Sequence, residues 1–77
     1  MPLLSDRDSS VLASAYELGP SQVQADAVHL QQWTGSEADL LVSMQGRHGW
    51  TAASECAPYY VAGLRQTLQH TSRNGSA

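Results

Sequence analysis

Apolar residues recur at three- and four-residue spacing along most of the chain, and glycine or proline interrupts that rhythm at Gly19-Pro20, Gly35, Gly46, Gly49 and Pro58. This spacing puts apolar side chains on one side of a helix, whereas a half-buried strand would alternate at every second position. No stretch alternates in that way, and valine is the only β-branched apolar residue type present. The pattern predicts an all-α domain, a compact bundle of about four short helices with no sheet.

The first helix is expected from Ser5 to about Leu18. Ser5 with Asp8 three residues on forms an approximate capping box, and Leu4, Asp8, Val11, Leu12, Ala15 and Tyr16 fall near one face. Gly19 suits the left-handed conformation that closes a helix, and Pro20 prevents its continuation. Ser21, with Gln24 three residues later, is the expected cap of the second helix. Its stripe is Val23, Ala27, Leu30 and Thr34, widened by Val28 and Trp33, and Gly35 ends it. The third helix is expected to start at Ser36, with Asp39 three later, to carry Leu40, Leu41 and Met44, and to stop at Gly46. Gly46 to Gly49 reads as a loop with Trp50 folded back onto the core, and Thr51 to Cys56 as one short helical turn or a bend. Pro58 fits the first turn of the last helix, where Tyr60, Val61, Leu64, Leu68 and Thr71 form the most regular stripe of the chain. The expected core is Leu12, Tyr16, Leu30, Leu40, Leu41, Val61, Leu64 and Leu68.

With 77 residues there is room for one domain, expected over residues 1–71 with a flexible polar tail at 72–77. No apolar run approaches the roughly 20 residues that a spanning helix needs, so no membrane partner is expected. The first residues lack the basic start and apolar run of a secretory signal, and a lone Cys56 cannot staple its own chain. Both point to a cytoplasmic protein. Only 14% of residues are charged and the net charge is −3, but the charge is polarised. Residues 1–40 hold six acids (Asp6, Asp8, Glu17, Asp26, Glu37, Asp39) against Arg7, whereas residues 41–77 hold Glu55 against Arg47, Arg65 and Arg73. Such polarity orients a partner or a self-association.

Chemistry is sparse. His29, His48, Cys56 and His70 are the available soft or borderline ligands, and no pair shows the short spacing that sets two ligands on one turn. No metal and no cofactor are expected, and the histidines read as surface or rim residues. Cys56 with His48 or His70 can be written as a dyad, but there is no nucleophile elbow and no phosphate-binding glycine loop, so no enzyme is expected. Cys56 reads instead as a small buried hydrophobe.

Two resemblances stand beside this reading. Trp33-Thr34-Gly35 resembles the Trp-x-Gly turn of the WXG100 family, small helical-hairpin proteins exported by type VII secretion. The resemblance covers residues 33–38 and implies two long helices joined at that turn, which Gly19-Pro20, Gly46, Gly49 and Pro58 would interrupt. Thr51 to Ala57 followed by Pro58 to Arg65 resembles a helix-turn-helix, which implies a DNA-binding regulator with its second helix over 58–71. Tyr59, Arg65, Gln66, Gln69 and His70 would then face a groove, though few arginines are at hand to neutralise phosphates.

The remaining reading is helix-on-helix recognition. Trp33, Trp50, Tyr59 and Tyr60 are many large aromatics for so small a core, and aromatics anchor interfaces. The chain is expected to be a non-catalytic protein-interaction module or small regulatory subunit that self-associates or binds a protein partner. Trp50, Tyr59, Tyr60 and Arg65 are the expected contact residues.

Overall fold

A computed structural model describes residues 3–76, with side chains described through residue 70. Four helices follow one another among the described residues, with no strand: α1 (Asp6–Ala15), α2 (Pro20–Gln31), α3 (Glu37–His48) and α4 (Cys56–Ser76). The expected all-α bundle is therefore what forms. No described helix is long and apolar enough to cross a membrane. The tail expected at 72–77 lies outside the residues whose side chains are described.

The caps follow the sequence at two of the helix starts. The Ser5 hydroxyl accepts the Asp8 N–H at 3.1 Å, and the Ser36 hydroxyl accepts the Asp39 N–H at 3.2 Å. Each satisfies a backbone donor that the first turn leaves without a helical partner. α2 departs from expectation. It starts at Pro20 behind an extended Gly19, whose N–H donates to Gln22 Oε1 at 2.8 Å. Pro20 belongs at a first helical position because the N–H it lacks has no partner there. Gln24, freed from capping, clamps the chain ahead of α1. Its Oε1 accepts the Leu4 N–H at 3.1 Å and its Nε2 donates to the Leu4 carbonyl at 2.7 Å.

The stops also shift. α1 ends sooner than expected, and the left-handed residue is Glu17 (φ 58°), not Gly19; the Leu18 N–H then reaches back to the Ala13 carbonyl at 2.7 Å. α3 runs through Gly46 and stops at Gly49, where φ is 70° and the Gly49 and Trp50 N–H groups both donate to the Gln45 carbonyl. A helix interior tolerates one glycine at about 1 kcal/mol, so Gly46 alone does not end it. The segment before α4 is a bend, with the Ser54 N–H on the Thr51 carbonyl and the Cys56 N–H on the Ser54 hydroxyl.

Leu4, Ala13, Val23, Ala27, Leu30, Leu40, Met44, Ala57, Tyr60, Val61 and Leu64 form the core, with Leu12, Tyr16, Leu41, Trp50 and Leu68 packed against it. Every expected core residue is in or against this cluster. α1 is rotated from its expected face, however. It buries Ser9 and Ala13 and leaves Val11 61% exposed. Ser9 tolerates burial because its hydroxyl donates to the Asp6 carbonyl, and Ala13 is small enough for a close approach to α2.

The two α3 glycines should respond to alanine in opposite directions. A Cβ at Gly46 meets nothing within 4 Å, so Gly46→Ala should stabilise by about 0.5–1 kcal/mol. Gly49→Ala should destabilise by about 1 kcal/mol or more through its left-handed backbone. Urea denaturation of both variants measures the difference.

Candidate functional site

Asp26 lies on the same stripe of α2 as Val23, Ala27 and Leu30, so packing that stripe takes its carboxylate out of water. It is fully buried. Three donors meet it: Arg47 Nε on Oδ1 at 2.6 Å, and both His48 Nε2 and the Tyr60 hydroxyl on Oδ2 at 2.6 Å. Since a carboxylate accepts only, His48 carries its proton on Nε2. Its Nδ1 is buried without a partner. Trp50, turned back by the Gly49 stop, closes the cluster with ring centroids 4.8 Å from His48 and 5.4 Å from Tyr60. Tyr16 packs edge-on against Tyr60 at 5.1 Å. Burial, then the hydrogen bond to Asp26 and its negative charge, push the Tyr60 phenol well above the ordinary tyrosine range. Tyr16 is raised as well, by burial and then by Cys56.

This cluster joins α2, the end of α3 and the start of α4. His48 is 3% exposed at its side chain, so it is no rim histidine, and only Arg47 of the four reaches solvent. A catalytic group must come within hydrogen-bond reach of a substrate. The Asp26, His48 and Tyr60 groups are turned inward and used on one another.

The other residues singled out from sequence disperse. His29 Nε2 meets the Ser43 hydroxyl at 3.1 Å across α2 and α3, beside Trp33. Cys56 is half-buried at the start of α4, and His70 lies near its other end. Of the expected contact residues, Tyr60 is a correction. It is wholly buried, because the α4 stripe that carries Val61 and Leu64 also carries it inward. Trp50 is half-buried over the Asp26 cluster. Arg65 forms a two-pronged ion pair with Glu37, at 2.7 and 2.6 Å, which lowers the Glu37 carboxyl from its ordinary range. Tyr59 alone of the four stands well clear, 63% exposed.

Tyr59 lies on the outer seam of α1 and α4. These helices run antiparallel: a Cβ at Gly63 would touch Leu12 at 3.4 Å, and Tyr16 meets Tyr60 one turn away. At about 100° per residue, Val11 and Ala15 on α1 and Tyr59, Ala62 and Gln66 on α4 share that seam, and all five are exposed. Farther along it, Asp8, Gln66, Thr67, Gln69 and His70 line a groove of about 440 Å³. An aromatic knob and a polar groove therefore lie in line.

The chain matches no family model, no curated protein and no solved structure. The two resemblances also lose their structural basis. Trp33-Thr34-Gly35 does turn the chain, with the Trp33 indole N–H on the Ser36 carbonyl at 3.0 Å and its ring 3.2 Å from where a Gly35 Cβ would stand. It joins two 12-residue helices within a four-helix bundle, not the two long arms of a hairpin. Residues 51–55 form a bend, so the expected helix ahead of a recognition helix is missing.

Two outcomes test the buried cluster. Asp26→Ala strands the buried His48 and Tyr60 donors while Arg47 turns to solvent. Each buried donor left unsatisfied costs about 1–3 kcal/mol, together a large share of a small domain's stability. Thermal unfolding followed by near-ultraviolet dichroism should lose its cooperative transition. The second concerns alkaline pH. Folded Tyr60 keeps its proton where an unfolded phenol, at about pH 10, loses it. Unfolding then releases a proton, so stability is present below that pH and falls as pH rises through it. The chain has no lysine to mask the effect. Urea midpoints measured from about pH 8 to 11 should decline, and Tyr60→Phe should flatten the decline, leaving the smaller part due to Tyr16.

Proposed function

We propose that this chain is a non-catalytic helical protein-interaction module or small regulatory subunit, self-associating, which binds through the outer seam of α1 and α4. The observation that carries the reading is the exposure of Tyr59 and Val11 on one seam, 63% and 61%, beside exposed Ala15 and Ala62. The apolar stripe of α1 is wider than the core uses. Its surplus lies where an aromatic residue is already presented, and aromatic anchors ringed by smaller residues carry most of the energy of helix-on-helix interfaces. The inward use of Asp26, His48 and Tyr60 supports a role without catalysis. A lone cysteine suits the reducing cytoplasm.

A photo-crosslinking amino acid at position 59, expressed in the native host, tests this. Covalent adducts should form there and not from the same group at Gln31, an exposed position on α2. Equal adduct yields at both positions, or none at either, would overturn the reading.

A further inference from the structure

We infer that the occupant of the α1–α4 seam is a second copy of this chain, with the Tyr59 side chain of each copy seated in the groove of the other. The inference rests on the proposed interaction surface and gives it a partner.

Spacing along the seam carries the argument. The two helices approach most closely where Leu12 meets Gly63. Tyr59 lies four residues to one side of Gly63, about 6 Å at 1.5 Å per residue. The groove residues Gln66, Thr67, Gln69 and His70 are centred about 7 Å to the other side. A two-fold axis through the crossing therefore brings each Tyr59 to the level of the opposite groove. This is the self-complementarity an isologous interface requires, in which residue i meets j and j meets i.

Chemistry agrees with spacing. The groove has room for an aromatic ring, and Asp8 at its wall offers a carboxylate that can accept from the incoming phenol hydroxyl. Charge agrees as well. Exposed Glu17 and Glu55 stand at the Tyr59 end of the seam, where α1 finishes and α4 begins, and exposed Arg7 stands at the groove end. The same two-fold lays α1 on α1 and α4 on α4, so Arg7 of one copy stands opposite Glu17 of the other, while Val11 meets Val11 and Ala62 meets Ala62 near the axis. A parallel arrangement would set like ends together and leave both grooves empty.

Sedimentation equilibrium up to on the order of 1 mM tests the inference. The mass should double from 8.3 kDa, and Tyr59→Ala, at an exposed position that leaves the core intact, should weaken the dimer roughly 30-fold, as loss of an interface anchor does. In a Cys56→Ser background, Arg7→Cys and Glu17→Cys variants should form a disulfide when mixed and oxidised, and neither should do so alone. A wild-type monomer at that concentration would overturn the second copy as occupant, yet leave the seam standing if position 59 still crosslinks to another protein. A dimer unaffected by Tyr59→Ala and lacking the 7–17 disulfide would overturn it too, by placing self-association elsewhere. A monomer that also gives no adduct at position 59 would end both readings.

Discussion

A carboxylate that cannot reach water sets the terms for this fold. Asp26 shares its face of α2 with Val23, Ala27 and Leu30, so α2 cannot pack those residues without burying the charge. An unpaired buried carboxylate costs several kcal/mol, and the geometry answers with the Arg47 countercharge and two further hydrogen-bond donors, His48 and Tyr60. Arg47 and His48 come from the last turn of α3 and Tyr60 from the first turns of α4. Three helices are thereby tied at one end of the bundle, in a chain with no disulfide. The tie is directional where hydrophobic packing is not: sliding α3 by one residue along α2 would preserve apolar contact but part the guanidinium from the carboxylate.

The same requirement explains where α3 ends. A stop at Gly46 would release Arg47 and His48 into a loop, and their side chains would lose the helical spacing that brings both to Asp26. Continuing to Gly49 holds them on one turn. The left-handed glycine then reverses the chain so that Trp50 covers the cluster from outside. Sequence logic reads glycine as punctuation, but an exposed glycine inside a helix and a left-handed glycine beyond one look alike until the carbonyls they serve are known. Gln45 receives both closing N–H groups, and nothing local in its neighbours announces that.

The fold class, the helix count and the caps at Ser5 and Ser36 were legible in the sequence because each rests on spacing within a few residues, whereas Ser21 yields its cap to Gly19 because Pro20 takes the first helical position. The polar core was not legible, because its members are 21 to 34 residues apart. One signal was on the page. Asp26 interrupts an otherwise apolar stripe, and an acid on such a face must either rotate outward or find donors. Tyr60 looks like a contact residue because aromatics near a helix start are often exposed, whereas it belongs to the stripe of Val61 and Leu64. α1 failed differently. Val11 and Ala15 made its apolar face look broad, yet the bundle accepts Ser9 and Ala13, since a serine that bonds its own helix and a small alanine permit closer packing than valine does.

Tyr59 and Tyr60 show how the buried cluster bears on the surface. Consecutive helical residues point about 100° apart, so fixing one direction fixes the other. Tyr60 is held by the Asp26 carboxylate and by edge-on contacts with Tyr16 and Trp50, which leaves α4 no freedom to roll. Its neighbour Tyr59 therefore leaves α4 toward the α1–α4 seam, in a direction set by the same contacts. In the proposed dimer, association would order little beyond the Tyr59 side chain and the opposing groove, and a preorganised anchor binds more tightly than a mobile one with the same contact area. The buried carboxylate thus acts on the surface by fixing the direction in which Tyr59 leaves α4.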